Sequence, residues 1–188
     1  MTRRAALSAI NSPLDVAAMC LVGVCVEAAI VCRFGWSAPL PAYCYFAAIA
    51  TAVSAADLAA RRIPNPIVRP AYIIGPALLT LNCALTGSWR PLLDGGIATA
   101  GLAGFYLALG FAVPAGMGLG DVKWAGVIGL YLGYLGWSAL MVGTLLAFSS
   151  AAVLVVARAC ICRDARGFSV PMAPFMTAGA LVAILVTR

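Results

Sequence analysis

Asp57 and Asp121 are two of only six acidic residues in the chain, and both fall in or beside long apolar runs. An ionisable side chain is costly to hold at membrane depth, so such a residue marks a functional position by default. Two carboxyl groups that can meet support acid–base chemistry on a shared water.

Asp57 closes an apolar run that continues Leu58-Ala59-Ala60-Arg61-Arg62-Ile63-Pro64-Asn65. At 1.5 Å per helical residue its carboxylate lies roughly 6 Å inside the level of Arg61. Taken alone, that spacing describes an (i, i+4) ion pair with Arg61. Pro64 cannot continue the preceding helix, Asn65 suits an N-cap, and Pro66 suits a first helical position. The turn returns the next helix beside the one before it. Asp121 follows Pro114 and three glycines, at 116, 118 and 120. A stretch this poor in side chains is not expected to hold a helical turn, and it lets another backbone approach closely. An aspartate at the mouth of such a gap is placed to meet an extended peptide. A glycine-rich helix contact with a capping aspartate is the other reading. Lys123 points away from Asp121 on a helix and is expected to reach toward lipid headgroups. Within hydrogen-bonding range of each other, one aspartate would hold a proton and the other would activate water. That chemistry needs no metal, cofactor or histidine.

The elements that position these residues are membrane spans. The chain is 64% hydrophobic and 10% charged over 188 residues, which defines a polytopic α-helical membrane protein, and its long, non-alternating apolar runs do not fit a barrel. Seven runs are expected to span or nearly span, at 13–32, 40–60, 67–86, 92–114, 119–135, 137–157 and 170–187. Together they make one bundle, a single transmembrane domain over 1–188. The count depends on a break at Gly133-Tyr134-Leu135-Gly136-Trp137; without it the fifth and sixth spans fuse and everything downstream changes side.

Charge tests the count. With the N-terminus in the cytoplasm, nine basic residues lie inside (Arg3, Arg4, Arg61, Arg62, Arg69, Lys123, Arg158, Arg163, Arg166) and three outside (Arg33, Arg90, Arg188). This positive-inside bias puts both aspartates on the cytoplasmic side. It also accounts for the net charge of +6 through anchoring at the bilayer, with no call for nucleic acid. The first apolar run reads as an uncleaved span rather than a signal peptide. Seven cysteines without a Cys-x-x-Cys pair, and no histidine, read as small packing residues rather than metal ligands. Asp15, Asp94 and Glu27 read as structural, the first two near helix starts and Asp94 four residues after Arg90; Asp164 reads as a loop residue.

Asp57 followed by Arg61-Arg62-Ile63-Pro64-Asn65, then Gly118-Leu119-Gly120-Asp121-Val122-Lys123, then Val170-Pro171-Met172-Ala173-Pro174-Phe175, resembles in order and spacing the type IV prepilin peptidases. These are membrane aspartic proteases of the Gly-x-Gly-Asp kind. The resemblance runs from about Tyr43 to Leu185. It implies Asp57 and Asp121 as the catalytic pair. Gly118, Gly120, Pro64, Asn65 and Lys123, all within the matched blocks, are candidate substrate-binding residues. The implied reaction removes a short basic leader from pilin-like precursors at the cytoplasmic membrane face, with the bilayer and pilus assembly machinery as further partners. Larger bifunctional members carry an N-terminal segment with two Cys-x-x-Cys pairs and also methylate the new N-terminus. Without those pairs the chain resembles the short, peptidase-only form associated with Flp/Tad-type pili. The presenilin and signal-peptide-peptidase group shares Gly-x-Gly-Asp. It expects Tyr-Asp at the first aspartate and Pro-Ala-Leu after the second, where this chain has Ala56-Asp57 and places Pro76-Ala77-Leu78 between them.

Two other classes stay open at the level of residues. A transporter could use Asp57 and Asp121 as a proton or cation relay, which calls for charges deeper in the bilayer and an inverted repeat. A catalytically inactive subunit of a pilus machine could keep the fold alone.

Overall fold

The computed structural model describes residues 13–112, 118–161 and 171–187. Every regular element among them is a helix: α1 Pro13–Phe34, α2 Leu40–Ala60, α3 Asn65–Thr86, α4 Arg90–Ala112, α5 Leu119–Leu135, α6 Trp137–Ile161 and α7 Ala173–Val186. Pro114, Gly116, Cys162, Arg163, Asp164, Arg166, Val170 and the ends carrying Arg3, Arg4 and Arg188 lie outside the described residues, as does the side chain of Asp15. The expected break between the fifth and sixth spans is present. Gly136 adopts φ 131°, ψ 164°, a conformation that side-chain-bearing residues rarely take, and so ends α5.

Five helices (α1 to α4 and α6) are long and apolar enough to cross a membrane. α5, with 17 residues, and α7, with 14, are about 25 and 21 Å long at 1.5 Å per residue. All ten residues from Trp124 to Gly133 are buried, so α5 runs through the middle of the bundle, sheathed by helices rather than lipid.

Small residues permit that placement. A Cβ on Gly129 would stand 2.5 Å from the Ala98 carbonyl oxygen, and one on Gly95 would stand 2.8 Å from that of Leu130. α4 and α5 therefore pack backbone to backbone, as small residues four apart allow in a membrane. α6 and α7 meet in the same way through Gly143 and Gly179, where a Cβ on Gly179 would lie 2.8 Å from the Ala147 amide nitrogen. α2 faces α5 differently, through large rings. Phe46 stacks on Trp124 with centroids 5.9 Å apart, and Tyr43 and Phe46 both pack on Tyr131.

These contacts fix the helix directions. Tyr72 donates to the Lys123 carbonyl at 2.7 Å and Gly75 abuts Tyr131, so α3 and α5 run parallel. Residues 95 and 98 of α4 meet residues 129 to 134 of α5 in reverse order, so that pair is antiparallel. At one end Arg33 Nη2 donates to the Thr187 carbonyl at 2.7 Å, joining the ends of α1 and α7. At the other end lie the last turn of α2 and the first turns of α3, α5 and α7.

The cysteines are placed less uniformly than expected. Cys83 is buried and Cys44 half-buried, but Cys20, Cys25, Cys32 and Cys160 are exposed. They lie on outward faces of helices rather than in packed contacts. Asp94 lies in the second turn of α4, not the first.

Candidate active site

α2 ends on Arg61, which takes a left-handed conformation (φ 49°, ψ 39°) and returns its amide to the carbonyl of Asp57 at 2.8 Å. Arg61 is the one non-glycine residue with positive φ among those described. The sharp stop fixes Asp57 in the last turn, and its side chain is 5% exposed. Asp57 Oδ2 accepts the backbone N–H of Ala173 at 3.1 Å. Ala173 is the first residue of α7, and the first amides of a helix have no partner within it. Asp57 thus fills the anion position at the N-terminus of α7, where the helix dipole favours negative charge. A charge-assisted bond of this kind contributes roughly 1.5–3 kcal/mol. Arg61 is near enough for its charge to act on the same carboxylate.

Asp121 sits in the first turn of α5 and caps its own helix: its Oδ2 accepts the amide of Gly118 at 3.1 Å. Gly118 has no side chain to return the bond, so the capping is one-sided. The expectation that the glycines keep this stretch out of a helix does not hold at Gly120, which lies within α5. The gap at Gly120 is instead filled by the α2–α3 turn: a Cβ there would meet the Ile63 Cβ at 3.1 Å. Gly118 is exposed at the start of the helix.

The same turn is tied to α5 a second time. Lys123 Nζ donates to Asn65 Oδ1 at 3.0 Å. Two expectations change here. Asn65 is the first residue of α3 rather than its cap, Pro64 holds the cap position, and no side chain caps the helix. The Lys123 ammonium reaches Asn65 rather than only the headgroup region. Both changes have one cause, since the amide oxygen that would cap α3 is used as the acceptor for Lys123.

Asp57 and Asp121 are brought to the same end of the bundle, close enough for the charge of Asp57 to act on Asp121. Trp124, one turn after Asp121, donates its Nε1–H to Thr177 Oγ1 at 3.2 Å. Thr177 is one turn after Ala173, so α7 bonds the Asp57 carboxylate directly and ties to α5 one turn beyond Asp121. Ala173, Thr177 and Ile63 were not singled out by sequence reasoning. Their signal was present only as Pro171 and Pro174 flanking the start of the last helix and as the residue before Pro64. Tyr106 of α4 is 1% exposed and lies within electrostatic reach of Asp121. Pro64 is half-buried and Lys123 exposed at this face.

Fold and site together define a polytopic helical membrane protein with two braced carboxyl groups at one end of its bundle. The model of the type IV leader peptidase family matches residues 44–156, a stretch that contains both aspartates. The chain belongs to that family, as the sequence motifs implied. No curated protein and no solved structure matches the chain.

Proposed function

We propose that this leader peptidase is of the aspartic type and that Asp57 and Asp121 are its catalytic pair. Its substrates on this reading are pilin-like precursors of the Flp/Tad kind, cut at the cytoplasmic face of the cell membrane. The observation that carries the proposal is the convergence of Asp57 and Asp121, each held by a backbone amide at a helix N-terminus, in a chain of this family.

The reaction follows from that pair. The ionised carboxylate removes a proton from water as the oxygen attacks the scissile carbonyl. A tetrahedral intermediate forms, the C–N bond breaks, and the protonated carboxyl gives its proton to the departing amine. The held amides orient each carboxylate without neutralising it. Lys123, Asn65 and Pro64 border the site, and the exposed Gly118 leaves room there for an extended peptide. A leader passing this end would lie on the side where Arg61, Arg62, Arg69 and Lys123 cluster, the side the positive-inside bias assigns to the cytoplasm.

Reconstitution of the purified chain with a single-span pilin precursor in lipid vesicles tests the proposal. The expected product is a mature pilin whose new N-terminus, read by mass spectrometry, begins at the boundary between leader and apolar segment. An uncut precursor would overturn it.

A further inference from the structure

α1 packs along α2 but only sparsely on α7. Arg33 and Thr187 join the far ends of α1 and α7. Nearer to Asp57 a cleft of about 480 Å³ separates the two helices. Its walls are Ala18 and Val22 of α1 and Pro174 and Ala178 of α7, and its floor is Ser54 and Ala55 of α2. The two helices are thus tied together at the end remote from the aspartates. Toward the aspartates the cleft ends at Leu58 and Pro174, the residues that directly follow Asp57 and its hydrogen-bond donor Ala173. From Pro174 to Val182 the α7 wall is about 12 Å long at 1.5 Å per residue, a little over two helical turns.

We propose that this cleft receives the first two turns of the precursor's apolar helix, the part that immediately follows the cleaved bond. The inference rests on the peptidase reading above. A precursor whose scissile bond lies at Asp57 must continue into the bilayer from that point, and the cleft is the apolar surface continuous with Asp57 and Ala173. Its small residues let a helix backbone approach closely, which is how helices associate in lipid.

Site-specific photo-crosslinking tests this. A photoreactive residue is placed at Ala178 in the Asp57→Asn chain, which retains uncut precursor, and in parallel at Leu145, which is 65% exposed on α6. The expected result is an adduct from position 178 to precursor residues within about eight positions after the cleaved bond, the length of two turns, and none from position 145. Separately, Ala178→Phe should raise KM for the precursor by about tenfold with little change in kcat, as loss of one central docking contact does. Leu145→Phe should leave both unchanged. Equal adducts from both positions, adducts to lipid only, to a second copy of the chain, or to residues 1–12 of the same chain would each overturn the docking assignment. If the unaltered chain cuts the precursor but position 178 yields no precursor adduct, the cleft falls and the peptidase reading stands. If the unaltered chain does not cut it, both fall.

Discussion

The carboxylate of Asp57 and the backbone amide of Ala173 meet at 3.1 Å across 116 positions of sequence. The last turn of α2 thereby supplies the cap that α7 lacks, since no side chain from its own N-terminal residues caps it. Asp57 is a structural element of α7 as well as a candidate catalyst.

That double role predicts different outcomes for two substitutions. Asp57→Asn keeps an oxygen that can accept the Ala173 amide but loses the charge assistance, and should fold with a loss of only about 1 kcal/mol. Asp57→Leu removes the acceptor and should destabilise the bundle by about 1–3 kcal/mol, the penalty for an unmet buried amide. Thermal unfolding in detergent measures both. Equal stability of the two variants would show that the bond to Ala173 matters little.

Gly120 and Ile63 should behave as a coupled pair. Gly120→Ala places a methyl group 3.1 Å from the Ile63 Cβ and should cost about 1–3 kcal/mol through overpacking. Ile63→Gly, which removes that Cβ, should recover much of that loss in the same chain, giving a clearly non-additive double mutant, whereas Ile63→Ala, which keeps it, should recover little. A strictly additive cycle would mean that the turn moves aside freely.

Lys123 and Asn65 make a second tie between the same elements. Lys123→Met and Asn65→Ala should each lower stability by about 0.5–1.5 kcal/mol, and the double variant should be little worse than either alone. A double-mutant cycle on unfolding temperature checks this, and independent effects would contradict it.

The glycines of α4 and α5 divide into two groups. Gly129→Leu should prevent α4 and α5 from docking, because the Ala98 carbonyl occupies the needed space. Gly101 and Gly104 have open surroundings, so Gly101→Ala and Gly104→Ala should be neutral or stabilising by up to about 1 kcal/mol through helix propensity. Size-exclusion profiles and melting temperatures would separate the groups. A well-folded Gly129→Leu chain would refute the close packing.

Much of this was legible in the sequence because single spans are read from apolar length. The breaks at Pro64 and Gly136 each carry the residue type that their geometry requires. The charge bias predicted both aspartates at one membrane face, and the seven described helices do bring Asp57 and Asp121 to one end. Contacts between distant segments were not legible. Nothing in Val170-Pro171-Met172-Ala173 announces that its free amide will seek Asp57, and the Asp57–Arg61 spacing pointed only to the local charge interaction, which exists beside it. Asn65 misled because a good capping residue is equally good at accepting a lysine from another helix. The glycines before Asp121 suggested an open gap, yet Ile63, which has no polar signature, fills the one at Gly120.

The most direct measurement is cleavage of a reconstituted precursor by purified Asp57→Asn, Asp121→Asn and the double variant. Each single variant should fold in the membrane and lose cleavage. The double variant should be no worse than either, because residues that act as one unit are strongly non-additive. Glu27→Gln, which alters an acid of α1 beside Cys44, should cleave normally. Substantial cleavage by either aspartate variant, free of any host peptidase, would contradict the two-carboxylate mechanism.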